Sequence, residues 1–241
     1  MSRIRENISG YFSSEINRYR FFSLVIFILI ITALAWQSDD SYHAYVMAKH
    51  LVEGNGFVYN IGERASATSC PLFTLIVALG YFVFRNMFLV SLLINIIFSA
   101  AAYYIFVKDF CMSKKQIVYS FAAMIGCTSF ISYTTSGLEN SLLFLLSAIF
   151  LKKYFENEKY DAGRLFVLGL LISLIAMTRM DAVLMFVPMV LYAYIAKRER
   201  VSFIRSVGIG ALGLMPFAAW EIFSLIYYGF LVPNTAFVKL G

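Results

Sequence analysis

Apolar runs alternate with short polar connections along almost the whole chain. The runs fall at 21–36, 71–84, 87–107, 117–131, 141–151, 165–178, 182–196 and 201–227. A helix needs about 20 apolar residues, at 1.5 Å each, to cross a hydrocarbon layer of about 30 Å. The pattern therefore predicts an all-α, polytopic helical membrane protein, with one transmembrane domain over residues 1–241. The longest polar interval is 37–70. It opens with the adjacent carboxylates Asp39 and Asp40 as soon as the first apolar run ends at Trp36.

Composition and charge sharpen this picture. Charged residues make up 14% of the chain, against about 25% in globular domains, and the mean hydropathy is +0.76. A soluble domain is excluded. The net charge of +6 does not indicate nucleic acid, because the positive residues sit in the connections between apolar runs. Four arginines precede the first run (Arg3, Arg5, Arg18, Arg20). Three lysines mark the connection at Lys108, Lys114 and Lys115; four charges mark that at Lys152, Lys153, Lys159 and Arg164. Four more mark Lys197, Arg198, Arg200 and Arg205, so 15 of the 20 Lys and Arg residues occupy these four places. The positive-inside rule puts all four in the cytoplasm. Ala33-Leu34-Ala35 resembles a signal-peptide cleavage site, but the long leading region holds Glu6 and Glu15, and a retained signal-anchor helix is expected.

Parity then sets the topology. Run 71–84 is too short to span and is expected as a half-inserted or surface-lying helix within a first outer loop at 37–86. Run 165–196, as one helix, would reach about 48 Å. It also carries Arg179 and Asp181, each costing roughly 2.5–3.5 kcal/mol at mid-membrane. A hairpin turning at 178–181 satisfies both facts. Seven crossings result, with residues 1–20 inside and the C-terminus outside.

That topology gathers the unexplained polar motifs on the outer face. Asp39 or Asp40 is a candidate general base; as helix neighbours they point about 100° apart, so one of them faces a given reacting atom. Glu139 has two readings: a functional carboxylate, or the N3 member of a capping box with Ser136. Arg179 suits phosphate binding by its planar fork, with Asp181 as its orienting partner. Tyr42, Tyr228 and Asn234 are supporting candidates, although a tyrosine pair at 227–228 also suits an interfacial belt. His43 and His50 lack clustered partners, so no metal site is assigned. Cys70, Cys111 and Cys127 show no pairing or metal spacing and are expected to be packing residues. Gly-rich phosphate loops, nucleophile elbows and dinucleotide fingerprints are absent from the sequence.

Taken together, four separated motifs resemble a known pattern. Asp39-Asp40-Ser41-Tyr42, followed by Ala48 through Gly54-Asn55-Gly56 and Asn60-Ile61-Gly62-Glu63-Arg64, is similar to the first outer loop of GT-C-type membrane glycosyltransferases, including the bacterial terminal arabinofuranosyltransferase-like group. Isoleucine stands where that group has proline in Asn-Pro-Gly, and Ser69-Cys70-Pro71-Leu72 stands for Ser-Pro-Leu. Ser136-Gly137-Leu138-Glu139, Thr178-Arg179-Met180-Asp181-Ala182, and Tyr227-Tyr228-Gly229 with Pro233-Asn234-Thr235 match its further motifs. The resemblance implies a polyprenyl-phosphate sugar donor, a glycan or lipid acceptor, inversion at the anomeric carbon, and a site on the outer face of a bacterial inner membrane. It assigns the essential acid to Asp39 or Asp40, implies no firm cofactor, and leaves a divalent cation open. Members of the group continue well past the Pro-Asn-Thr motif, whereas Gly241 lies six residues after Thr235. The chain is thus expected to hold the N-terminal catalytic module, with a truncated non-catalytic protein or a transporter as the alternatives. The predicted topology is testable: a reporter phosphatase active only outside the cell gives activity when fused after residue 86 and none after residue 113.

Overall fold

A computed structural model describes residues 14–156, 159–196 and 202–231. Its elements, in order, are α1 (Glu15–Ala33), α2 (Ser41–Val52), α3 (Pro71–Phe84), α4 (Met87–Asp109), α5 (Lys114–Gly126) and α6 (Thr128–Thr134). They continue with α7 (Asn140–Phe155), α8 (Ala162–Thr178), α9 (Val183–Ile195), α10 (Phe203–Gly213) and α11 (Met215–Tyr228). Among the described residues there is no β-strand element, and the all-α expectation is met.

The polar connections supply the caps. The Asn86 side chain accepts from the Leu89 N–H at 3.0 Å to start α4. Ser113 and Gln116 form a capping box at α5, and Asp161 accepts from the Arg164 N–H at 2.9 Å at α8. These side chains satisfy backbone donors that a helix start leaves unpaired. Helix α3 begins with Pro71, where a missing N–H costs nothing, and ends at Arg85 in the left-handed region (φ 52°).

Among the described residues, two helices are long and apolar enough to cross a membrane: α1, with mean hydropathy 1.6, and α4, with 2.1. Two bent pairs, α5–α6 and α10–α11, pass the same test when each is taken as one span. Large apolar side chains stand exposed around the bundle, such as Leu29, Ile97, Leu184 and Ile226. Hydrocarbon is the solvent in which such a surface is stable. The chain is a helical protein with helices of membrane-spanning length and composition.

Two expected single runs prove to be broken. Run 117–131 bends by 80° between α5 and α6, where Cys127 adopts an extended conformation; Gly126 and the β-branched Thr128 beside it are weak helix formers. Run 201–227 bends by 52° between α10 and α11, because Pro216 has no N–H to continue the ladder. The freed Phe217 N–H donates instead to Ser173 Oγ of α8 at 2.8 Å. Cys70 and Cys111 are buried, as expected of packing residues, but Cys127 is exposed at the bend.

Helix α8 is the hub. It packs against α3, α7, α9, α10 and α11, and Leu165, Leu168 and Ile175 are buried in the main core with Phe73, Val77 and Phe150. A second core joins α1, α4 and α5, with Phe27 stacked on Tyr103 at 4.6 Å between ring centroids. Arg20 of α1 donates to the carbonyls of Val107, Lys108 and Cys111 at 3.0–3.2 Å, closing the C-terminal end of α4, where a cation is favoured.

Helices α8 and α10 approach backbone to backbone. A Cβ at Gly213 would lie 2.8 Å from the main chain of Gly169 and Leu170, so this close contact of small residues requires glycine. Gly213→Leu is expected to destabilise the folded protein by about 1–3 kcal/mol, as overpacking does. Gly208→Ala, whose Cβ meets nothing within 4 Å, should leave the thermal unfolding temperature in detergent no lower, and raise it slightly, since alanine is the better helix former.

Candidate functional site

The turn before α2 is built from its own polar side chains. Asp39 accepts from the Asp40 N–H at 3.0 Å and from the Ser38 hydroxyl at 3.3 Å, so its carboxylate is turned back on the turn. Asp40 occupies the N-cap position but makes no side-chain capping bond. The turn is joined to the segment before α7 by the Ser38 N–H, which donates to the Ser136 carbonyl at 2.8 Å. Gly137 lets the two segments close. Its φ is +80°, and a Cβ there would fall within 3.1 Å of Ser41 and nearer still to the Tyr45 hydroxyl.

Behind this junction lies a cavity of about 610 Å³ whose walls come from α2, the 66–70 segment, the 137–139 segment, the α8–α9 turn and α11. Asp40, Glu139, Arg179 and Asp181 all line it. Arg179 leaves α8 in an extended conformation. Its Nε and Nη2 donate to the two carboxylate oxygens of Asp181, each at 3.2 Å. Nη1 reaches Glu139 Oε1 at 3.4 Å. The Asp181 hydrogen bonds raise the Arg179 pKa, and the same bonds hold the Asp181 carboxyl below its ordinary value. A guanidinium offers five N–H donors; these contacts use three, so two remain for an anion.

The capping-box reading of Ser136 and Glu139 is overturned. Helix α7 starts at Asn140 with Glu139 itself as N-cap and no side-chain capping bond. Ser136 Oγ donates to the Tyr133 carbonyl instead. The Glu139 residue is 8% exposed, and a buried carboxylate needs its counter-charge, which Arg179 supplies.

Of the other candidates, Tyr42 is exposed on a different face of α2 and lines a separate groove. Tyr228 is buried and donates to the Phe57 carbonyl, packing with Phe57 and Met47; it anchors the loop after α2 against α11. Asn234 lies outside the described residues, as do Pro233 and Thr235.

The cavity also holds residues that were not singled out. Phe217, Trp220, Glu221 and Ser224 of α11 face it. Their spacing of three, one and three is a helical stripe, visible in the sequence only once a helix is known to begin at Met215. Thr68 and Cys70 form the opposite wall, with Thr68 Oγ1 accepting from the Cys70 N–H at 3.2 Å. Burial, with the Glu139 charge adding to it, pushes the Cys70 thiol up to about 12, so it stays protonated and is no thiolate ligand. Among the described residues, no three His, Cys, Asp or Glu side chains sit together as a metal cage.

Comparison of the chain with protein-family models, with curated proteins and with solved structures finds no match in any of the three.

The Arg179–Asp181 pair is testable by titration. Because Asp181 is depressed when folded, its stabilising contribution is present above the unfolded value near 3.9 and is lost as pH falls through the lower folded value. In carboxyl-labelled protein the Asp181 midpoint should lie below that value. In Arg179→Met it should rise toward that value.

Proposed function

We propose that the protein is a glycosyltransferase of GT-C type. It moves a sugar from a polyprenyl-phosphate donor to a glycan or lipid acceptor at the outer face of a bacterial inner membrane. The observation that carries this reading is the convergence of Asp40 with Arg179 on one cavity. A volume of about 610 Å³ lies in the range of small-molecule sites.

In this reading Asp40, not Asp39, is the base, because Asp40 lines the cavity while the Asp39 carboxylate is spent on its own turn. Asp40 removes the proton from an acceptor hydroxyl, and the oxygen attacks the anomeric carbon. The bond from that carbon to the phosphate oxygen breaks, and its electron pair leaves with the lipid phosphate. Arg179 offsets the charge that develops there, using the two N–H groups its described contacts leave over, while Asp181 holds the fork in orientation. Trp220 and Phe217 offer an apolar wall for a sugar ring or the first prenyl units. Inversion follows from the resemblance to the family, and the seven-crossing topology from the parity of the basic connections.

A transporter is the second reading, favoured by the bent pairs α5–α6 and α10–α11, since carriers build sites from interrupted helices. Radiolabelled sugar transfer in membranes separates the two. Asp40→Asn at matched insertion is expected to lower transfer by about 100-fold or more, the scale of general base catalysis. Asp39→Asn should retain most of it. A wild-type protein that transfers nothing from any polyprenyl-phosphate sugar, yet moves the donor across the bilayer, would establish the transporter.

A further inference from the structure

Helix α2 separates two cavities. Asp40, His43 and Ala44 face the one described above. Tyr42, Tyr45, Val46 and Lys49, at positions i, i+3, i+4 and i+7, face a second groove of about 500 Å³, as one side of a helix must. The far wall of this groove is the junction of α3 and α4, with Tyr81, Arg85 and Phe88.

Four features of the groove point to one kind of ligand. Its charged lining residues, Lys49 and Arg85, are both cations. Gln37 also lines it, and Gln37 Nε2 is a buried donor with no hydrogen-bond partner. Unpaired buried donors are costly and call for an acceptor. Arg85 is the only non-glycine residue at positive φ among the described residues, and its guanidinium lies 5.7 Å from the ring centroids of Tyr81 and Phe82. Lys49 is half exposed and only 3.9 Å from Glu53, the outer limit of an ion pair. Around this set of donors the apolar surface is bare: Phe82, Val83, Phe84 and Phe88 are each about 60–70% exposed.

We propose that this groove binds an anionic phospholipid, with the phosphate held by Lys49, Arg85 and Gln37. The acyl chains run down the exposed faces of α3 and α4. Cations next to a lipid-facing apolar surface are the arrangement that selects an anionic headgroup over a zwitterionic one. A bound phosphate relieves the unpaired Gln37 donor and fixes α2 from the side opposite the candidate active site. The proposal rests on the membrane character of α1 and α4 and is independent of the transfer reaction.

The test uses the purified full chain in non-ionic detergent, titrated with phosphatidylglycerol, phosphatidylcholine or inorganic phosphate, with bound lipid counted by native mass spectrometry. Phosphatidylglycerol is expected to bind about 10-fold more tightly than phosphatidylcholine, and the double variant Lys49→Gln/Arg85→Asn to lose about that factor, as removal of charge-assisted bonds should. Asparagine at 85 tolerates the left-handed backbone. Gln37→Leu, which keeps both charges and the shape of the wall, should weaken binding about 3-fold or more for the loss of one hydrogen bond to the phosphate. Lys115→Gln, at the start of α5, should bind as wild type. Equal binding of the two lipids, equal binding by the double variant and wild type, or displacement of phosphatidylglycerol by inorganic phosphate at low millimolar concentration would each overturn the proposal.

Discussion

A buried chain of hydrogen bonds between three helices is the constraint on which the site depends. Tyr45 of α2 is bonded to Ser91 of α4. Asn95, one turn on, donates to the Ser91 carbonyl at 3.0 Å, and Ser141 of α7 donates to Asn95 Oδ1. Ser91, Asn95 and Ser141 are wholly shielded from solvent. In surroundings this apolar, every unpaired group would cost free energy comparable to a lost hydrogen bond. Few other registers of α2, α4 and α7 satisfy all of these groups at once. The polar chain thus specifies which turn of one helix meets which turn of the next, something apolar contacts alone specify weakly.

The same constraint positions the chemistry. Tyr45 also donates to the Gly137 carbonyl at 3.3 Å, so the hydroxyl that locks α2 to α4 locks the 136–139 segment to α2 as well. With the Ser38–Ser136 backbone bond, this brings Asp40 and Glu139 to one cavity although they are a hundred residues apart. Arg179 then arrives from the opposite side because α8 ends at Thr178. Its charge makes the burial of Glu139 tolerable. The cavity is an acidic one, with Asp40, Glu139, Asp181 and Glu221 around a single guanidinium. In the proposed reaction that balance suits a carboxylate base more than the binding of a free polyanion.

The two sides of α2 face different surroundings. One side carries Asp40 and His43 toward the acidic cavity; the other carries Tyr42 and Lys49 toward a cationic groove at the head of α3 and α4. Alternating faces on one short helix put opposite electrostatics a helix diameter apart.

Much of this protein was legible in one dimension. Apolar runs and the Lys and Arg residues between them determined the helical class, the helix at Pro71–Phe84 and the interruption at 178–182, since hydrophobic burial and the cost of intramembrane charge act on stretches of sequence. The polar motifs Asp39-Asp40, Glu139 and Arg179-Asp181 stood out because ionisable groups are rare beside apolar runs. Which aspartate faces the cavity was decided only in three dimensions. It depends on whether a side chain folds back on its own turn, and adjacent identical residues carry no pattern that distinguishes them. The capping-box spacing of Ser136 and Glu139 was a local signal that a long-range ion pair outcompeted. Trp220 and Glu221 were hidden because the bend at Pro216 sets where α11 starts and hence which of its faces turns inward. Local periodicity fixes what a segment becomes; register between segments is fixed by side chains 46 residues apart, and only the folded chain brings those together.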